Sequence, residues 1–159
     1  MRLILAILIL CATAPAAQAQ MNILGPCRDG HRWLATRSSG DPVAAYATCE
    51  GNLPIAIVAC GFRGWPELRI AAAPGTRVPP PGESGIARMT IDGTTSFDLR
   101  LSPGASIAGG NTILRVQLTQ QSVEAMARGF TAVLDMNGTR LEMHLGASND
   151  VLMLFNQQC

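Results

Sequence analysis

The chain contains no lysine, and all 12 of its basic residues are arginine. That absence removes Schiff-base chemistry and the phosphate-cradling lysine of a P-loop. Charged residues make up only 14% of the chain, and beyond residue 19 the 11 arginines meet 11 acidic residues. A balance this close to neutral argues against a general polyanion binder and so against nucleic acid. No CxxC or HxxxH spacing is present to hold zinc. No serine stands in a G-x-S-x-G elbow, because Gly82-Glu83-Ser84-Gly85 has the wrong spacing. No internal repeat is visible.

The N-terminus carries a secretory pattern: Arg2, an apolar run from Leu3 to Leu10, and the small-residue site Ala17-Gln18-Ala19. The run is shorter than the roughly 20 residues of a membrane helix, so the mature chain is expected to begin near Gln20 without a transmembrane segment. The remaining 140 residues suit one domain. Four cysteines survive cleavage, Cys27, Cys49, Cys60 and Cys159. An even count in an exported chain reads as two disulfides with three possible connectivities. Cys27 with Cys159 and Cys49 with Cys60 is the pairing expected, the first tying the chain ends together.

Alternation fixes the fold class. Two alternating runs flank Asn137-Gly138, the residues of a type I′ turn, and counting outward sets Asp135 against Arg140, Leu134 against Leu141, Ala132 against Met143 and Phe130 against Leu145. One face of that hairpin is apolar, and the other is expected to pair the charges of Asp135 and Arg140. A second hairpin around Asp92-Gly93 keeps its apolar set on one face when Met89 opposes Phe97 and Arg88 opposes Asp98. Further strands are expected at 31–37, with Trp33 as a core anchor, and at 43–49, 55–60, 68–72 and 112–118. Residues 20 to 30 read as a short leader, 103 to 111 as a Gly-rich turn region, and 74 to 85 as a stiff, proline-dense surface loop. Thr119 caps a short helix that ends at Gly129, and Ser148 or Asn149 is expected to cap a terminal segment in which Val151, Leu152 and Phe155 share a helical face. The expectation is a mainly β, small antiparallel sandwich or partly closed barrel with one or two short helices.

Candidate functional residues are few. Phe62-Arg63-Gly64-Trp65 joins anchor-type side chains to glycine punctuation, as protruding recognition loops do, and Arg77 in the proline-dense loop extends the same surface. The competing arrangement packs Trp65 beneath the sheet while Phe62 closes its edge. His144 stands opposite Thr131 on the polar face of the last hairpin, sharing it with Glu142 and Arg140, and reads as a solvated strand histidine. His31 reads as a rim or core-edge residue. Met136, Met143, Met153 and His144 do not share a face, so no metal or other cofactor is expected. Asn137-Gly138-Thr139 is formally a glycosylation sequon, but the turn explains it.

From Leu68 onward the chain resembles the invasion-associated locus B family of exported bacterial proteins. The resemblance rests on Leu68-Arg69-Ile70 leading to Ala73-Pro74-Gly75, Pro79-Pro80-Pro81-Gly82, Ile91-Asp92-Gly93, the Ser122 to Gly129 helix, and Leu145-Gly146 before a terminal helix. The chain departs from that family in lacking a second close cysteine pair after the Asp-Gly turn. The resemblance implies a compact, disulfide-bearing β protein, periplasmic or surface-associated, and supplies no catalytic residues. The functional expectation is a non-enzymatic binding or envelope protein whose partner is another envelope protein or a host protein. The alternatives are an inhibitor of a cell-wall lytic enzyme, and a small hydrolase using His144 or His31.

Overall fold

The computed structural model describes residues 21–36, 41–61, 63–72, 76–106 and 112–159. Residues 1–19, expected to be a secretory leader, and Phe62 lie outside them. Alternating residues form ten strands: β1 (Met21–Ile23), β2 (His31–Thr36), β3 (Val43–Thr48), β4 (Pro54–Cys60), β5 (Pro66–Ala71), β6 (Gly85–Ile91), β7 (Thr95–Ser106), β8 (Thr112–Gln117), β9 (Thr131–Met136) and β10 (Thr139–His144). All pair antiparallel in one sheet of order β1-β2-β3-β4-β5-β8-β7-β6-β9-β10. The sheet curls into a half-barrel, so the architecture is the partly closed barrel and not a two-sheet sandwich. Between β5 and β6 the proline-dense connection carries the chain past β8 and β7, and Thr76 meets Thr139 at 3.0 Å on the way.

Two helices fill the concave side. In α1 (Gln120–Arg128), Thr119 accepts from the Ser122 backbone N–H and the Ser122 hydroxyl accepts from Thr119 N–H, a reciprocal cap. Val123, Met126 and Ala127 of α1 join Val151, Leu152 and Phe155 of α2 (Asn149–Gln158) in one core with the inward strand residues. At its N-terminus α2 has no side-chain cap; the Ser148 hydroxyl bonds Leu145 O instead.

Both hairpins take the registers that alternation requires. Leu141 opposes Leu134 and Met143 opposes Ala132, with Asn137 at φ 53° and Gly138 at φ 91° in the turn. In the other hairpin Met89 opposes Phe97, and Arg88 grips Asp98 through two hydrogen bonds of 2.8 and 3.1 Å.

Five expectations are corrected. The disulfides join Cys27 to Cys49 and Cys60 to Cys159. Cys49 and Cys60 bracket β4, and a strand of that length holds its ends roughly 20 Å apart, far beyond disulfide reach. The supposed leader contains β1, which pairs with β2 through Ile23 and Leu34. The supposed turn region is partly strand, because β7 runs through Pro103 and its irregularity there absorbs the missing N–H. Arg140 and Asp135 are register partners, but the Asp135 carboxylate accepts the Gly138 N–H at 3.3 Å and Arg140 leans to Glu142 at 4.0 Å. The turn amide is the nearer partner for Asp135. Phe130 keeps its backbone pairing, accepting from Leu145 N–H, yet its side chain is 74% exposed. It sits on the link between α1 and β9, where Asp92 holds its N–H from outside the core.

Two stability changes follow. Gly138→Val places a β-branched residue at positive φ and is expected to cost more than about 1 kcal/mol in a thermal melt, whereas Asn137→Gly is tolerated. An unchanged melt would remove the type I′ turn. Asp92 accepts the N–H groups of Thr131 and Phe130 and the Thr131 hydroxyl, and these bonds hold its carboxyl below the usual carboxylate range. A depressed folded-state value means that the contribution is complete above the ordinary carboxylate range and is lost as pH falls through the lowered value. The melting difference between the native chain and Asp92→Asn is therefore expected to be largest near neutrality and to shrink on acidification; a pH-independent difference would contradict it.

Candidate functional site: an arginine-lined cleft

The outward residues of β5, β8 and β7 form two cross-strand rows. Glu67 pairs with Gln117, which pairs with Arg100; Arg69 pairs with Arg115, which pairs with Ser102. Their inward neighbours Leu68, Val116 and Leu101 are fully buried, so strand alternation alone sends the polar set to the convex face. Arg69 and Arg115 therefore oppose one another as like charges. Glu67 relieves only one of them: its carboxylate accepts Arg69 Nε at 2.6 Å. Among the described residues Arg115 has no ion pair, and its buried Nε has no hydrogen-bond partner. Gly104 lets β7 pass close to β8 beside this side chain, since a Cβ there would lie 2.8 Å from Ile113 O.

The turn between β4 and β5 closes one end of this surface. Gly64 N–H donates to Gly61 O at 2.9 Å, and Gly61 N–H donates to Trp65 O at 2.7 Å. Gly64 lies at φ 72°, and a Cβ there would lie 3.1 Å from Cys159 O. The chain terminus, fixed to Cys60 by the disulfide, thus abuts the turn. Arg63 and Trp65 both line a cleft of about 580 Å³, together with Arg100, Arg115, Gln117 and, from the proline-dense loop, Glu83. Trp65 is 53% exposed, so the packed-beneath-the-sheet arrangement does not hold. Arg77 is exposed but does not line the cleft, and Phe62 lies outside the described residues. Sequence reasoning missed Arg100, Arg115 and Gln117, because only the strand order brings β7 and β8 beside β5.

The histidines meet elsewhere. His144 is not a solvated strand residue: its Nε2 lies 2.7 Å from Asp29 Oδ2, and its backbone is held by two core aromatics. Trp33 Nε1 donates to His144 O at 2.6 Å, and His144 N–H donates to the Tyr46 hydroxyl at 3.3 Å. His31 stacks on Tyr46 with ring centroids 5.3 Å apart, in keeping with a core-edge role. Burial pushes the Tyr46 phenol above its ordinary value, and the His144 backbone hydrogen bond opposes that shift. The hollow beside these groups measures about 20 Å³, room for a single water. Among the described residues no group of three His, Cys, Asp or Glu side chains is placed to hold a metal, and Met136 and Met143 are buried in the core.

Comparison of the chain with protein-family models, with curated proteins and with solved structures finds no match.

A structural role for the histidine cluster makes a definite forecast. Tyr46→Phe deprives the His144 N–H of its acceptor in a part-buried setting and is expected to lower stability by about 1 kcal/mol. An unchanged melt would show that the Tyr46 hydroxyl is not needed to hold β10.

Proposed function

We propose that the protein is an exported, non-enzymatic binding protein of the bacterial envelope, periplasmic or surface-associated, that recognises its partner with the cleft face around Arg63 and Trp65. The observation that carries this reading is the half-exposed Trp65 beside Arg63 at an open cleft. A large aromatic side chain left in water forgoes about 1.5–3 kcal/mol of burial, and tryptophan and arginine are the residues over-represented at binding hot spots. The secretory pattern at residues 1–19 and the two disulfides fit an extracellular or periplasmic setting. The resemblance to the invasion-associated locus B proteins supports the same reading, with another envelope protein or a host protein as partner.

A second reading, an inhibitor of a cell-wall lytic enzyme, draws on the placement of Arg63 within a tight turn, exposed to enter an acidic cleft. A hydrolase built on His144 or His31 finds less support, because a hollow of about 20 Å³ admits no substrate.

The double variant Arg63→Ala with Trp65→Ala separates recognition from folding. Exposed side chains predict a melt within about 0.5 kcal/mol of native together with lost partner capture from a periplasmic extract. A loss of about 3–5 kcal/mol would return Trp65 to the core, and undiminished capture would reject the cleft face as the recognition surface.

A further inference from the structure

Resting on that binding reading, we propose that the cleft is a site for a sugar bearing one anionic group, a carboxylate or a phosphate. The starting point is the unbalanced charge. Like charges directly opposed across a strand pair are destabilising, yet Arg69 and Arg115 occupy such positions, and the single carboxylate within their rows is committed to Arg69. Arg115 is left without an ion pair among the described residues, Arg100 stands one row away, and Arg63 overhangs the same cleft. Three arginines thus meet one uncommitted carboxylate, Glu83, on a chain whose formal net charge is only +1. A guanidinium fork matches the two oxygens of a carboxylate or phosphate, which is the complement this excess lacks.

The remaining lining narrows the class. Trp65 offers an exposed aromatic face on which the C–H side of a pyranose ring packs. Gln117, Ser102 and Glu83 supply donors and acceptors that ring hydroxyls satisfy and a bare aromatic acid leaves unpaired. A volume of about 580 Å³ lies within the range of small-molecule sites. Glu83 at the cleft disfavours a polyanion, so one anionic group per ligand is the better complement.

The test titrates the mature, disulfide-intact protein with glucuronate and with glucose 6-phosphate, against glucose and inorganic phosphate as controls, by calorimetry and tryptophan fluorescence. Trp33 is 2% exposed and Trp65 is 53% exposed, so a ligand-dependent signal that Trp65→Phe abolishes reports on the cleft. At least one anionic sugar is expected to bind roughly 10-fold more tightly than glucose, and Arg115→Gln or the exposed Arg100→Gln to weaken it roughly 10-fold, the worth of a charged hydrogen bond. Which anionic sugar binds separates the carboxylate from the phosphate source. Equal affinity for glucose, inorganic phosphate binding as well as the sugar phosphate, no binding of either anionic sugar, or indifference to both arginine variants would each overturn the proposal. Lost capture in the Arg63 and Trp65 double variant without any sugar binding rejects the ligand and leaves the binding reading standing. Sugar binding that depends on Arg115 or Arg100, with capture unchanged in that double variant, does the reverse.

Discussion

A half-barrel keeps two edges, and this fold depends on what happens at the second one, β10. Its last residue presents a backbone N–H and C=O with no strand beyond to receive them. The polar tips of Trp33 and Tyr46, from strands near the opposite end of the sheet, take both. Each bond contributes about 1 kcal/mol, and an unmet buried partner would cost about 1–3 kcal/mol. The same two side chains are 2% and 1% exposed and tilt against one another at 5.3 Å as cross-strand partners of β2 and β3, and their hydrogen bonds to His144 join β10 to the far end of the sheet. The histidine side chains then surround this junction, with His144 tied to Asp29 and His31 stacked on Tyr46.

Curling has a second consequence. Both helices pack on the core side, so the opposite face of β5, β8 and β7 is covered only in part, by the proline-dense loop and the turn after β4 at the cleft. The Cys60–Cys159 bridge carries α2's end to the rim of that face, where it supports the turn bearing Arg63 and Trp65. A bridge spanning 99 residues contributes about 4–5 kcal/mol on the chain-entropy model. Global stability and the shape of the cleft's end are therefore set by the same covalent link.

What the sequence disclosed was local. Both hairpin registers follow from alternation and turn chemistry within about 16 residues, so Met89 against Phe97 and Leu134 against Leu141 were legible without any tertiary information. The disulfide pairing was not, because it depends on α2 packing back across β4, and no residue near Cys159 announces that. The edge strand β1 escaped for the same reason: three residues carry too little alternation to register. The candidate site divides along this line. Arg63 and Trp65 stand together in sequence and were found together. Arg100 and Arg115 become neighbours of Glu67 only through the crossing from β5 to β6, which places β8 and β7 at β5's side. Phe130 misled because strand alternation was carried one residue beyond the strand.

The arginines on that face also show how an outer surface can vary over a fold at little cost to it. Every outward position of β8 has an inward neighbour whose burial is complete, Leu114 and Val116 at 0% exposure, so register is held from the core side whatever the outer face carries. The like-charge opposition of Arg69 and Arg115 then costs little against a sheet whose pairing is fixed from within. Gly104 is a place where this face constrains the backbone, since a Cβ there would lie 2.8 Å from Ile113 O. A side chain at position 104 would disturb the approach of β7 to β8 at Ile113. The strand irregularity between Pro103 and Ser106 is thus the point at which the demands of the fold and of the cleft coincide.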